Sequence, residues 1–151
     1  FNFIPTAPDS ILTKHIDAEY VIANSNYDMV VSGDNIKLNT TTKFFSDVEG
    51  EYLLAPYLIV DNIIGYQNGH PDGNFTTHKN YVAGIAKPTT INEFRNFGYQ
   101  ITTNGAKRGY TINLDFEIDK NTTWKTKDIS FVLLIFKKQS WGLEFINAFT
   151  K

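Results

Sequence analysis

Residues 110–119 have the sequence YTINLDFEID, in which apolar and polar side chains alternate without a break. Successive side chains of an extended strand point to opposite faces of a sheet, so this segment would have one apolar face and one acidic face. A helix would spread the same residues around its circumference and bury carboxylates. The pattern therefore predicts a half-exposed β-strand. Its apolar face would carry Tyr110, Ile112, Leu114, Phe116 and Ile118, and its polar face Thr111, Asn113, Asp115, Glu117 and Asp119.

Residues 131–136, with the sequence FVLLIF, are apolar at every position. Such a run is typical of a strand covered on both faces, and it is too short for a buried helix of usual length. A half-exposed strand together with a buried one implies a sheet packed against a second layer. We therefore expect Leu114 and Phe116 to face the segment around Leu133.

The composition supports the same class of fold. The chain has 151 residues, of which 42% are apolar and 15% aromatic, and aromatic residues favour strands. Short apolar segments recur between clusters of turn residues, without the long alternating helices of an α/β protein. The prediction is one all-β domain over residues 1–151, an antiparallel β-sandwich or jelly-roll-like fold. We expect eight to ten strands with one or two short helical turns, and an extended N-terminal arm over residues 1–8.

Several local patterns place these elements. Residues 19–23 and 29–31 favour two short strands separated by the turn-prone residues 24–26. Residues 51–64 are apolar and contain Pro56, which predicts two strands that meet at a bend or bulge because proline cannot donate to a sheet ladder. The capping-box pattern of residues 90–93 predicts a short helix. Residues 99–103 and 110–119, connected by residues 104–109 in which Asn104-Gly105 supplies left-handed backbone geometry, are typical of a β-hairpin.

Net charge, cysteine content and hydropathy exclude some classes of partner. The formal net charge is −2 and there is no cysteine, which argues against nucleic acid as a partner and excludes disulfides and thiolate metal sites. No apolar run approaches the roughly 20 residues that span a bilayer. The chain opens with Phe1 rather than methionine. We expect a processed or excised domain that is extracellular or carried on a viral or phage particle.

The acidic strand face is one candidate for chemistry. Asp115, Glu117 and Asp119 would project from the same face about 7 Å apart between neighbours in the row, given a strand rise of about 3.3 Å per residue. Inverting glycosidases separate their two carboxyl groups by a comparable distance. A sheet face in contact with water also requires polar residues, and no apolar pocket that would raise the pKa of an acid is evident. We expect no enzyme here, and keep a glycoside hydrolase as an alternative.

A metal or cofactor site is not predicted either. His70 and His78 lie close to Asp72 and Asn74 in the sequence. Their spacing matches neither the helical zinc motif nor the full calcium loop, and turn formation explains these residues without an ion. The glycine-rich nucleotide motifs and the nucleophile elbow are absent from the sequence. We therefore predict no cofactor.

The best candidate for a ligand site is the turn-rich segment 66–74 together with Trp124. Tyrosine and tryptophan offer a flat apolar face with a polar edge, and amide, imidazole and carboxylate groups add directional hydrogen bonds. This mixture suits a sugar ring or a protein epitope. A simpler interpretation is that Tyr66 and Trp124 close the ends of the sandwich. The predicted ligand-binding residues are Tyr66, Gln67, Asn68, His70, Asp72, Asn74 and Trp124.

These observations favour a non-catalytic recognition module that binds a glycan or a cell-surface receptor through its loops. An alternative is a structural subunit of a viral, phage or extracellular assembly. In that case the apolar arm at residues 1–4 and the segment 141–145 would pack on neighbouring copies of the chain, giving a homo-oligomer.

Overall fold

The computed structural model of the chain describes residues 21–69, 71, 73–90 and 97–151. Within these ranges it has eleven β-strands and one short 3-10 turn, Thr126–Asp128. The predicted N-terminal arm and the capping box at residues 90–93 lie largely outside the described residues. The strands are β1 (Ala23–Ser32), β2 (Asn35–Phe44), β3 (Tyr52–Val60), β4 (Ile63–Tyr66), β5 (Phe75–His78), β6 (Tyr81–Ile85), β7 (Lys87–Pro88), β8 (Tyr99–Thr102), β9 (Thr111–Asp119), β10 (Ile129–Gln139) and β11 (Gly142–Thr150).

The strands form two antiparallel sheets. The first has the order β1-β2-β9-β7, and the second has the order β11-β10-β3-β6, with β8 also paired to β3. The remaining strands, β4 and β5, pair with each other in a separate two-stranded sheet. The predicted all-β sandwich architecture is confirmed, but the described residues contain eleven strands rather than the eight to ten expected.

The alternating segment behaves as its pattern predicts over residues 111–119, but Tyr110, which the pattern assigns to the apolar face, precedes the strand and is exposed. The strand is β9, which lies between β2 and β7 in the first sheet. Phe116 is fully buried and Leu114 packs against the core, whereas Asp115, Glu117 and Asp119 are exposed on the outer face. Alternation along one strand was sufficient to assign both faces.

The apolar segment at residues 131–136 lies in β10. Its inward side chains, such as Leu133, are buried, but Val132, Leu134 and Phe136 are only half-buried. The prediction that both faces are covered is therefore only partly correct. Strand β3 has the pattern expected of a doubly covered strand, since Leu53 and Ala55 are buried as well as the inward-facing side chains.

Aromatic pairs join the two sheets across the core. The rings of Tyr27 and Phe131 have centroids 5.9 Å apart, those of Phe44 and Tyr52 5.3 Å, and those of Tyr99 and Phe116 5.5 Å. In each pair one ring comes from the first sheet and the other from the second. Edge-to-face and tilted pairs contribute about 1 kcal/mol beyond the area that they bury. These contacts stabilise the packing of the sheets.

A buried hydrogen bond between two hydroxyl groups links β1 to β2. Ser25 Oγ and Thr42 Oγ1 are 2.7 Å apart, and both residues are buried. We expect Ser25→Ala or Thr42→Val alone to lower the free energy of unfolding by about 1–2 kcal/mol, because each leaves one hydroxyl without its partner.

The free energy of unfolding of the double variant should fall by less than the sum of the decreases in the two single variants, since the double variant leaves no hydroxyl without a partner. Urea denaturation of the four proteins measures this difference. Strict additivity would show that the hydrogen bond makes no net contribution to stability.

Residues 24–26 do not form the predicted turn; they lie within the single strand β1. Asn24 Oδ1 accepts the N–H of Ser25, and Asn26 Oδ1 accepts the N–H of Tyr27. Asparagine side chains commonly bond to nearby backbone groups in this way. The turn-prone residues therefore satisfy outward-facing amides along an edge strand, which accounts for the incorrect prediction.

The predicted hairpin through Asn104-Gly105 is also wrong. Strand β8 pairs with β3 in the second sheet, while β9 pairs with β2 and β7 in the first. The connection instead crosses between the sheets, and Gly105 lies against the backbone of Val48 and Glu49. Two hydrogen bonds between Val48 and Ala106 hold this contact. Gly105 therefore allows close approach of two backbone segments and does not form a hairpin turn.

Pro56 marks neither the bend nor the bulge that its sequence context suggests, because β3 continues through it and is separated from β4 only at Asp61 and Asn62. Pro56 lies within β3 opposite Leu133, and its carbonyl accepts the N–H of Ala86. On this side of β3 the pairing with β6 ends at Tyr57, and the pairing with β8 begins at Leu54. The missing N–H therefore falls in a gap between two partner strands, where no ladder bond is lost.

Among the described residues, no helix has the length and hydropathy needed to cross a membrane.

Candidate functional site

A bent β-hairpin extends the second sheet beyond the sandwich. Val60 of β3 pairs with Tyr81 of β6, and Ile63 of β4 pairs with His78 of β5, so the register of the first ladder continues into the second. Two residues on each side interrupt the pairing between these ladders. We call residues 63–78 the hairpin arm. It pairs with no other strand in the described part of the chain.

The base of the hairpin arm is defined by two asparagines in the left-handed backbone region. Asn62 has φ 58° and Asn80 has φ 53°, a conformation that asparagine tolerates better than most residues. Asp61 Oδ1 accepts the N–H of Asn80 at 2.6 Å and thereby ties the two sides of the base together. The bend is therefore held by specific backbone geometry and a side-chain hydrogen bond.

The same base is anchored to the loop between β9 and β10. Asp61 donates its backbone N–H to the carbonyl oxygen of Asp128 at 2.8 Å, and Asn62 Nδ2 donates to Asp128 Oδ1 at 2.8 Å. Within the loop, Trp124 donates its backbone N–H to the carbonyl oxygen of Asn121. These bonds set the position of Trp124 relative to the hairpin arm.

One face of the hairpin arm is apolar and open to solvent. Ile64 is 73% exposed, Tyr66 62% and Phe75 69%. Tyr66 and Phe75 are directly opposite each other in the ladder, with ring centroids 5.8 Å apart and ring planes at 80°. On the other face, Ile63 packs against the core and the His78 imidazole lies over Gly65. The arm therefore presents its aromatic pair outwards.

A groove lies between the base of the arm and the β9–β10 loop. Trp124 is half-buried and packs against the core, and it lines this groove together with Ile63 and Ile64. The groove has a volume of about 430 Å³, within the usual range for small-ligand sites. Its polar lining comes from Asp61, Asn62, Thr123, Lys125 and Asp128.

The two predicted parts of the ligand site are the segment 66–74 and Trp124, and in the structure a single residue, Ile64, connects them. Ile64 lines the groove beside Trp124 and also belongs to the exposed face that carries Tyr66. The tip residues Gln67, Asn68 and Asn74 are exposed, and the Gln67 N–H donates to the Asn74 carbonyl oxygen. The predicted site residues His70 and Asp72 lie outside the described residues.

The interpretation that aromatic residues close the ends of the sandwich applies to only one of the two candidates. Trp124 is in contact with the core, but Tyr66 stands on the exposed face of the arm. Sequence reasoning missed Ile64, Phe75 and the acidic pair Asp61 and Asp128. The sequence did contain a signal for the apolar face. Ile64 and Tyr66 alternate with other residues before the turn, and Phe75 follows immediately after it.

The carboxylates on the acidic face of β9 are exposed, and two of them line a groove that is open to solvent. Asp115 is exposed and accepts a hydrogen bond from Asn39 Nδ2 at 2.7 Å. Glu117 and Asp119 line a separate groove of about 510 Å³ with Asn35, Gly84 and Lys87, and Lys87 is opposite Glu117 in the ladder. The described residues include no group of three or more His, Asp or Glu placed to hold a metal ion.

No protein-family model matches the chain, and no curated protein matches it at a significant level.

Proposed function

We propose that this protein is a non-catalytic recognition module that binds a glycan or a cell-surface receptor. The binding surface consists of the apolar face of the hairpin arm and the groove beside Trp124. The observation that carries the proposal is the exposed Tyr66–Phe75 pair, which continues through Ile64 into that groove. An extracellular or particle-borne location is part of the same proposal.

The exposure of these side chains supports a binding role. Single exposed apolar residues are common on protein surfaces, but adjacent ones on a projecting element mark interaction sites more often. Ile64, Tyr66 and Phe75 contribute little to the core, since each is more than 60% exposed. Two aromatic rings at 80° also offer apolar faces in two directions, which suits a sugar ring or an apolar side chain of a partner.

The hydrogen bonds at the base of the arm support the same role. A binding surface that is ordered before its ligand arrives loses less conformational entropy on binding. Asp61, Asn62 and Asp128 form the bonds that join the arm to the β9–β10 loop. Both parts of the surface are therefore held in one arrangement by groups at the base of the arm.

The test is the double variant Tyr66→Ala/Phe75→Ala, assayed on a glycan array and by attachment to cells. We expect a loss of binding of about tenfold or more, because truncated aromatic anchors commonly cost more than about 1.4 kcal/mol. The melting temperature should hardly change, since both side chains are largely exposed.

Phe45→Ala is the matched control. Phe45 is 44% exposed but lies just after β2, outside the proposed binding surface, so its truncation should leave attachment unchanged. If the double variant binds as well as the natural chain in both assays, the hairpin arm is not the recognition surface.

A further inference from the structure

We infer that the groove beside Trp124 selects neutral saccharides, and that Asp61 and Asp128 exclude anionic ones. The inference rests on the proposed function and specifies its ligand class. It favours a glycan over a protein receptor as the ligand of this groove. Three features of the groove carry it: the arrangement of the carboxylates, the charge balance and the apolar wall.

The two carboxylates are held in place by one oxygen each. Asp61 Oδ1 accepts the N–H of Asn80, and Asp128 Oδ1 accepts from Asn62 Nδ2. Among the described residues, no hydrogen bond to the second oxygen of either carboxylate is present. Each side chain is half-buried and lines the groove. The groove therefore offers two fixed carboxylates, each with further capacity to accept hydrogen bonds.

Sugar hydroxyl groups match these acceptors. A hydroxyl that donates to a carboxylate forms a charge-assisted hydrogen bond, which is shorter and stronger than a bond between neutral groups. The wall formed by Trp124, Ile63 and Ile64 can cover the apolar face of a sugar ring. The groove thus combines an apolar surface with acceptors at its rim.

The charge balance of the groove disfavours anions. Its charged lining residues are Asp61, Asp128 and Lys125, which leaves one net negative charge. Beside an apolar wall this charge is screened less than in bulk water, so a carboxylate or sulfate on the ligand meets repulsion. The groove would thus discriminate between saccharides by repelling the anionic ones.

The test uses Trp124 as its own reporter. The chain has two tryptophans, and Trp141 is exposed in the turn between β10 and β11, remote in sequence from the groove. Trp141→Phe therefore leaves Trp124 as the only tryptophan. This protein is titrated with oligosaccharides found on the array, each in a neutral form and in a form extended by sialic acid or a uronic acid. We expect the neutral form to bind about tenfold more tightly.

The specificity variant is Asp61→Asn/Asp128→Asn in the same background. The asparagine Oδ1 atoms can still accept from Asn80 and Asn62, so the base of the arm should keep its geometry. We expect the preference for neutral sugars to fall to within about twofold as acidic sugars gain affinity. Lys127→Ala, in the adjacent 3-10 turn, is the control and should leave the preference unchanged.

The outcomes separate this inference from the proposed function. Equal or tighter binding of acidic sugars by the Trp141→Phe protein overturns the inference. So does an unchanged preference in the Asp61→Asn/Asp128→Asn variant. In either case the proposed function stands if Tyr66→Ala/Phe75→Ala still weakens attachment by about tenfold or more. Attachment that depends on the arm but survives enzymatic removal of cell-surface glycans also overturns the inference, because the ligand is then a protein. If no sugar is bound and the arm variant attaches normally, both proposals fail.

Discussion

Gly105→Ala is expected to lower the free energy of unfolding by about 4 kcal/mol or more, the largest effect of any single substitution considered for this chain. A Cβ at this position would overlap the carbonyl oxygen of Val48 and come within 2.7 Å of Glu49 Cα. Both obstacles are backbone atoms, which cannot rotate away as a side chain can. The φ of 101° adds strain for any residue that has a Cβ.

Gly109→Ala separates the steric overlap of the added Cβ from the strain of a positive φ. Gly109 has a similar φ of 89°, but a Cβ there meets nothing within 4 Å. The free energy of unfolding of this variant should fall by only about 1–2 kcal/mol, which is the cost of a left-handed backbone for a residue with a Cβ. Chemical denaturation of both variants gives the comparison. Equal losses would show that the contact between Gly105 and the segment at Val48 is not rigid in solution.

Phe116→Ala should be the second most damaging change, with an expected loss of about 3–5 kcal/mol. Phe116 is fully buried, packs on Tyr99, and has Leu38 and Pro88 opposite it on the two flanking strands. Truncation removes buried apolar surface and leaves a cavity between the two sheets. The surrounding side chains are closely packed, so the sheets can relax only partly to fill it.

The matched control for this change is Phe75→Ala. The residue type and the substitution are the same, but Phe75 is 69% exposed, so its loss should stay within about 1 kcal/mol. Thermal and urea unfolding of the two variants measure the difference. A similar loss for both would contradict the assignment of Phe116 to the core and of Phe75 to the surface.

The candidate site was predictable only in part. Tyr66 and Trp124 were identified from their chemistry, because an aromatic side chain in a turn-rich segment is a plausible ligand contact wherever the loop lies. Phe75 was not, although it is the direct neighbour of Tyr66 in the ladder. The two residues lie on either side of a long turn, and their pairing depends on a register that the intervening sequence does not reveal.

Incorrect predictions came from turn residues whose chemistry serves another purpose in the fold. Asn24 and Asn26 bond to the backbone of an edge strand, and Gly105 allows two backbone segments to meet. Asparagine and glycine favour turns because of these same local properties. The sequence of a single segment does not show whether its asparagine and glycine residues form a turn or serve another contact in the fold.

The order of polar and apolar residues along the chain was enough to determine that β9 is a strand with one buried and one exposed face, because side-chain direction alternates along any extended backbone. The choice of partner strands, the bend at Asn62 and the groove beside Trp124 were decided only by the tertiary structure. Asn62 and Asp128 are 66 residues apart in sequence, and the pairing of β3 with β10 is what brings them within hydrogen-bond distance. Contacts of this kind depend on how separate segments pack, and the local pattern of a segment contains no record of its distant neighbour.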